Sequence, residues 1–172
     1  QLGALETSPS NHWMACSEDF VSRRQYRISV RNLQTGRWHA DEIENTSGDI
    51  VWSADSSGFF YVRLDEETLL PYQVYYHVLG NDVSQDKLVY QEADNTYYLH
   101  ISHSRSDEYL LIGLDSTMST EVHLLSLKTP QANPQLFLAR RRGHEYYLDH
   151  FQQHFYIRSN RDGRNFALYQ AD

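Results

Sequence analysis

The feature that most constrains this chain is a period. Ser8-Pro9-Ser10-Asn11-His12-Trp13-Met14-Ala15 lines up with Ser53-Ala54-Asp55-Ser56-Ser57-Gly58-Phe59-Phe60-Tyr61, and again with Ser102-His103-Ser104-Arg105-Ser106-Asp107-Glu108-Tyr109-Leu110. A degenerate copy follows at His150-Phe151-Gln152-Gln153-His154-Phe155-Tyr156. The aromatic residues that open the apolar run in each copy, Trp13, Phe59, Tyr109 and Phe155, are 46, 50 and 46 residues apart. A spacing of ~40 to 50 residues is the length of one four-stranded propeller blade, a unit that cannot bury both of its faces without neighbours.

What fills the period is strand. Thirteen Tyr, 7 Phe and 3 Trp stand against 4 Pro and 2 Met, and wide or β-branched side chains favour a pleated, half-buried surface. Short apolar or alternating runs end in Gly, Asn, Asp or Ser, and helical spacing is nowhere sustained. Strands are expected at residues 12–16, 26–32, 50–53, 59–64, 73–78, 87–92, 97–102, 109–114, 121–127, 135–139, 146–149, 155–159 and 166–170. The expected fold is all-β, a partial β-propeller of about three and a half four-stranded antiparallel blades, at 1–47, 48–95, 96–144 and an incomplete 145–172. A β-sandwich also has many short strands, but it gives no reason for the echo. An open array leaves raw strand edges, so self-association through blade edges is expected.

Charge and composition exclude several functions. Fifteen Lys+Arg against 23 Asp+Glu give a formal charge of −8, the wrong sign for a phosphate-backbone binder. No run approaches the ~18 apolar residues of a membrane-crossing helix, so a soluble chain with neither nucleic-acid nor membrane partners is expected. The lone Cys16 cannot form an internal disulfide, and nothing points to an oxidising compartment. The N-terminus, Gln1-Leu2-Gly3-Ala4, shows no secretory leader. Asn45-Thr46-Ser47 fits a glycosylation sequon, a pattern short enough to arise by chance.

Few side-chain clusters suggest chemistry. Nine His invite a search for metal ligands, but His100 and His103 fall on opposite faces of one strand, and His150 and His154 straddle a turn without a third ligand. No metal or cofactor is expected. Arg140-Arg141-Arg142 follows a fourth strand, where positive charge discourages edge pairing. The tyrosine pairs Tyr75-Tyr76, Tyr97-Tyr98 and Tyr146-Tyr147 suit packing between sheets better than base stacking, which needs a basic groove. The one cluster placed for a functional role is Arg23-Arg24, following the acidic pair Glu18-Asp19 on an inter-strand loop.

Beyond these local readings, the run Glu18-Asp19-Phe20-Val21-Ser22-Arg23-Arg24-Gln25-Tyr26-Arg27-Ile28-Ser29-Val30-Arg31-Asn32-Leu33-Gln34-Thr35-Gly36 resembles the propeller segment of the oligopeptidase B (protease II) group in the prolyl oligopeptidase family of serine peptidases. Leu69-Leu70-Pro71-Tyr72-Gln73-Val74-Tyr75-Tyr76-His77, Ser84-Gln85-Asp86-Lys87-Leu88-Val89-Tyr90, Arg141-Arg142-Gly143-His144-Glu145-Tyr146, Phe155-Tyr156-Ile157-Arg158-Ser159-Asn160 and Asn165-Phe166-Ala167-Leu168-Tyr169 match in order, so the likeness spans nearly the whole chain. The resemblance implies a seven-bladed, unlatched propeller capping an α/β-hydrolase domain, of which this chain is roughly half. It also implies a cytoplasmic enzyme that cleaves short, basic peptides after Arg or Lys, with the propeller as size filter and gate. The family's Gly-x-Ser-x-Gly elbow, which exposes an activated serine, does not occur between Gln1 and Asp172. No catalytic residue can therefore be carried over, and the chain alone is expected to be inactive. Glu18, Asp19, Arg23 and Arg24 are the candidates for interdomain contact and gating. The competing expectation is a free-standing small propeller that binds peptide or protein partners as a scaffold.

Overall fold

The structure is a computed structural model that describes all residues 1–172. Fourteen strands and one 3-10 turn, Val83–Gln85, make up the chain. The strands are β1 (Leu2–Thr7), β2 (Trp13–Glu18), β3 (Tyr26–Asn32), β4 (Trp38–Trp52), β5 (Gly58–Leu64), β6 (Pro71–Val78) and β7 (Lys87–Gln91). They continue as β8 (Tyr98–His103), β9 (Tyr109–Asp115), β10 (Thr120–Ser126), β11 (Gln135–Leu138), β12 (Tyr146–Phe151), β13 (His154–Ser159) and β14 (Ala167–Ala171). All pairings are antiparallel. The strands form a seven-stranded sheet β1 to β7, a four-stranded sheet β8 to β11 and a three-stranded sheet β12 to β14.

The seven-stranded sheet is two layers joined by one strand. β4 pairs with β3 from Trp38 to Thr46 and with β5 from Thr46 to Trp52, so Thr46 is where the strand changes partner. Its hydroxyl donates to the Tyr26 carbonyl at 2.9 Å. Two residues on, Gly48 sits at φ +95°, and a Cβ there would lie 2.9 Å from the Tyr26 ring. The bend therefore needs glycine twice over, for its dihedral and for the close approach.

The turns behind the echo are closed by Ser8, Ser53 and Ser104, so the third copy's equivalent serine is Ser104 and not the aligned Ser102, which lies within β8. Ser8 exchanges hydrogen bonds with Trp13 N–H and C=O, Ser53 with Gly58, and Ser104 with Tyr109, in each case through its backbone and its hydroxyl. Each turn places one non-glycine residue near φ +60°: Asn11, Ser56 and Asp107, with Gln152 in the degenerate copy. These turns also tie successive layers together, through Ser10 N–H to Ser56 Oγ, Ala54 N–H to the Leu127 carbonyl and Ser106 N–H to the His150 carbonyl.

Three apolar seams lie between consecutive layers. Ile28, Val30, Ile43, Trp52, Phe59 and Tyr61 fill the first. Phe60, Val62, Val74, Leu99, Leu110 and Ile112 belong to the second and largest, and Leu111, Val122, Tyr146 and Ile157 to the third. β5 and β9 send alternate side chains into two seams, which is why they read as unbroken apolar runs instead of alternating ones.

Two strands were not visible as such in the sequence. No strand was expected over residues 2–7, and β4 was expected only over residues 50–53. The outer part of β4 is polar, with few of its side chains buried before Ile50, so it carries no hydrophobic signal. Of the tyrosine pairs, Tyr76 and Tyr146 are buried and Tyr75 and Tyr97 partly buried, in line with packing between sheets, whereas Tyr98 and Tyr147 are more than half exposed and pack against no further sheet.

Candidate functional site

The loop between β2 and β3, residues 19–25, is organised around one carboxylate. Asp19 is only 2% exposed. Its Oδ1 accepts from the N–H groups of Val21 and Ser22 at 2.9 and 2.8 Å, and its Oδ2 from that of Arg24 at 2.8 Å. Burial pushes this carboxyl upward, but the hydrogen bonds outweigh it and hold it below the usual range. Ser22 and Arg24 both adopt φ near +58°, a conformation a free loop would avoid and Asp19 holds in place. Asp19 is thus the loop's internal anchor and presents no charge to the surface.

What the anchored loop presents is Phe20, Val21, Arg23 and Arg24. Phe20 is 65% and Val21 60% exposed. Arg23 and Arg24 are exposed, and their guanidinium groups form no ion pair within the chain. Beneath the loop lies a groove of about 350 Å³ lined by Glu18, Phe20, Val21, Gln25, Arg27, Glu44, Asn45 and Glu66. Arg27 stacks over the Phe20 ring at 4.6 Å and stands 3.8 Å from Glu42. Three carboxylates face one guanidinium, a balance that favours cationic visitors.

Of the expected site residues, the structure places Glu18 in this groove, Asp19 under the loop, and Arg23 and Arg24 on its outside. Sequence reasoning missed Phe20, Val21, Glu44 and Glu66. The first two were visible as apolar residues in a loop; the last two arrive from β4 and the β5–β6 loop, through pairing that the local sequence does not announce.

The other clusters are committed elsewhere. His100 pairs with Asp115, His103 with Asp107, His150 with Ser106 and His154 with Asp172, so no two of them share a partner. Asn45 of the sequon donates its amide to the Leu64 carbonyl at 2.9 Å, and Thr46 is buried. The reading of Arg140-Arg141-Arg142 as edge charge is corrected for its first member. Arg140 turns inward, where its Nη2 bonds Glu92 and Glu121, its Nε and backbone N–H reach Glu121, and its guanidinium lies 3.8 Å from the Tyr97 ring centroid. Only Arg141 and Arg142 stay exposed.

No serine, cysteine or threonine in the groove is set beside a base, and no group of three or more His, Cys, Asp and Glu is arranged to hold a metal. No helix is long and apolar enough to cross a membrane. The site is a charged and apolar surface on a stack of antiparallel sheets.

That fold and sequence match one family along the whole chain. Residues 1–172 match the N-terminal beta-propeller domain of prolyl oligopeptidase, and the chain belongs to this family. Among curated proteins it is 41% identical to dipeptidyl aminopeptidase BI of Pseudoxanthomonas mexicana, over 99% of this chain and 24% of that protein. It is 32% identical to protease 2 of Moraxella lacunata, over 84% of this chain and 21% of that one. The structure of oligopeptidase B from Leishmania major superposes with a TM-score of 0.93 at 28% identity, covering 99% of this chain and 24% of the other. The chain therefore spans about a quarter of the length of the relatives it matches.

Proposed function

We propose that residues 1–172 are the propeller portion of a longer serine oligopeptidase, in which they limit by size what reaches a catalytic domain outside this sequence. The observation that carries the proposal is the end-to-end match to a quarter of several longer peptidases, in a segment without a nucleophile elbow. In this reading the layers are blades of a seven-bladed ring over an α/β-hydrolase domain, bounded near 1–47, 48–95, 96–144 and 145–172. The partner switch at Thr46 supports the first boundary. The parent is cytoplasmic and cleaves short peptides after Arg or Lys; the −8 charge and the carboxylates of Glu18, Glu44 and Glu66 favour basic peptides nearby. Unpaired blade edges make the isolated chain prone to self-association.

Within this reading the β2–β3 loop is a gate contact. Asp19 fixes its shape, and Arg23 and Arg24, which lack partners inside the chain, form ion pairs with the catalytic domain in the closed state, while Glu18 lines the groove behind them. Charge reversal at Arg23 and Arg24 in the full-length enzyme tests this. The expected result is a changed kcat/KM for a short Arg-containing peptide and a changed response to salt; unchanged rates with unchanged salt response remove the gate from the proposal.

The 41% identity to a protein named dipeptidyl aminopeptidase BI favours a second reading, release of dipeptides from free N-termini. Paired peptides with free and blocked N-termini separate the two. An endopeptidase cleaves both after Arg or Lys, whereas a dipeptidyl aminopeptidase leaves the blocked peptide intact.

A further inference from the structure

The seam between the β1–β4 and β4–β7 layers encloses an imidazole without access to solvent. His77, on β6, is 0% exposed. Its Nδ1 lies 2.7 Å from Asp86 Oδ1 and its Nε2 2.9 Å from Asp41 Oδ2. The two carboxylates are nearly as buried, at 1% and 8%. A neutral imidazole has one N–H and one lone pair, so it would turn the lone pair toward one of these oxygens. Only the imidazolium donates at both ends.

The surrounding charges do not replace that proton. On β4, His39 Nδ1 stands 3.1 Å from Asp41 Oδ1 at the partly exposed rim. On β5, Tyr61 donates to Asp86 Oδ2 at 2.8 Å, and Arg63 reaches the Tyr61 hydroxyl at 3.4 Å without touching either carboxylate. With His77 neutral, two buried carboxylates would face each other across an uncharged ring, a costly arrangement. Asp41 has a further duty, accepting the Gly80 N–H at 2.7 Å. Three segments therefore meet at this ring: the outer part of β4, the end of β6 and the turn over residues 79–86.

The geometry points to His77 as a proton-operated clamp: protonated, it binds the outer part of β4 to the β6–β7 turn of the next layer, and losing the proton as pH rises frees that turn and loosens the seam. Burial pushes the imidazole down, but the hydrogen bonds and charges of Asp86 and Asp41 outweigh it and raise it above its ordinary value. A group raised on folding contributes its stabilisation fully below the unfolded value. That contribution is lost as pH climbs through the folded one.

Hydrogen exchange by mass spectrometry on the full-length polypeptide tests the clamp, read at the backbone amides of residues 79–86 and corrected for intrinsic rates. Opening releases one proton only between the imidazole's unfolded and folded values, so in that window the turn opens about tenfold further per pH unit, and the slope breaks off above the folded value. His77→Gln, which cannot take up a proton, is expected to expose the turn at all pH values and to abolish this extra slope. Asp41→Asn leaves the ring one carboxylate and is expected to move the break to lower pH; it carries the test if His77→Gln does not fold. An exchange profile without a break, or a break unmoved by both substitutions, overturns the inference.

Discussion

β5 and β13 hold the same place in the repeat, opened by Phe59 and Phe155, yet they are buried very differently. In β5 every residue but Arg63 is buried, whereas in β13 only Ile157 and Ser159 are. β5 packs into the first seam through Phe59 and Tyr61 and into the second through Phe60 and Val62. β13 meets a sheet on one side only. Across its other face Tyr147, Arg158 and Leu168 stand in register, with the Arg158 guanidinium 4.3 Å from the Tyr147 ring centroid and 5.3 Å from that of Phe166. A long cationic side chain laid over aromatic rings covers part of an open apolar face, but Leu168 is still 72% exposed. Position in the repeat sets which way a side chain points; the number of neighbouring sheets sets how much it stabilises.

The largest test of that contrast is truncation at the two strands. Phe60→Ala is expected to lose about 4 kcal/mol in urea unfolding, in the range of fully buried phenylalanine deletions, and Phe155→Ala no more than about half of that. Equal losses would break the comparison.

Next comes the arginine contrast. Arg140→Ala strands Glu92 and Glu121 in a largely buried site and is expected to cost about 3 kcal/mol, while Arg158→Ala on the open face costs below about 1 kcal/mol. The Arg140 network also carries a pH signature. Burial pushes Glu121 up, but bonds from Arg140 and His123 outweigh it and hold the carboxyl at about 2, below its ordinary 4.5. Its contribution is therefore complete above about pH 4.5 and lost as pH falls through about 2. Unfolding measured across that window should steepen in the native chain and flatten in Arg140→Ala.

Gly48→Ala sharpens the other side of the comparison, because the β4 bend makes the first two layers one sheet. With φ at +95° and the Tyr26 ring in the way, the substitution should cost about 2 kcal/mol, read as a lowered urea midpoint. The smallest effect belongs to Leu168→Ser, expected within about 0.5 kcal/mol in the 172-residue chain. A larger loss there would mean that the open face is covered in solution.

The layers were legible because the repeat is built from local chemistry. A serine that closes a turn, a residue near φ +60° and an aromatic after it lie within a few positions of one another, so they leave a mark at fixed spacing. β1 and the outer part of β4 left none, since strands that bury so little show neither alternation nor an apolar run. The loop 19–25 was legible as a charged cluster, but Asp19 was not legible as its anchor, because a buried aspartate that accepts three backbone N–H groups reads in sequence like any surface acid. His77 was equally silent: its carboxylates lie 36 residues before it and 9 after it, and only the pairing of β4, β5 and β6 brings them to one ring.

The claim on which the rest depends is that these sheets screen substrates by size for chemistry performed elsewhere in the polypeptide. It is tested most directly by kcat/KM of the full-length protein on one Arg-containing sequence, presented as a short peptide and again within a long unstructured chain. The account predicts cleavage of the short peptide more than about tenfold faster. Equal rates on the two would contradict it.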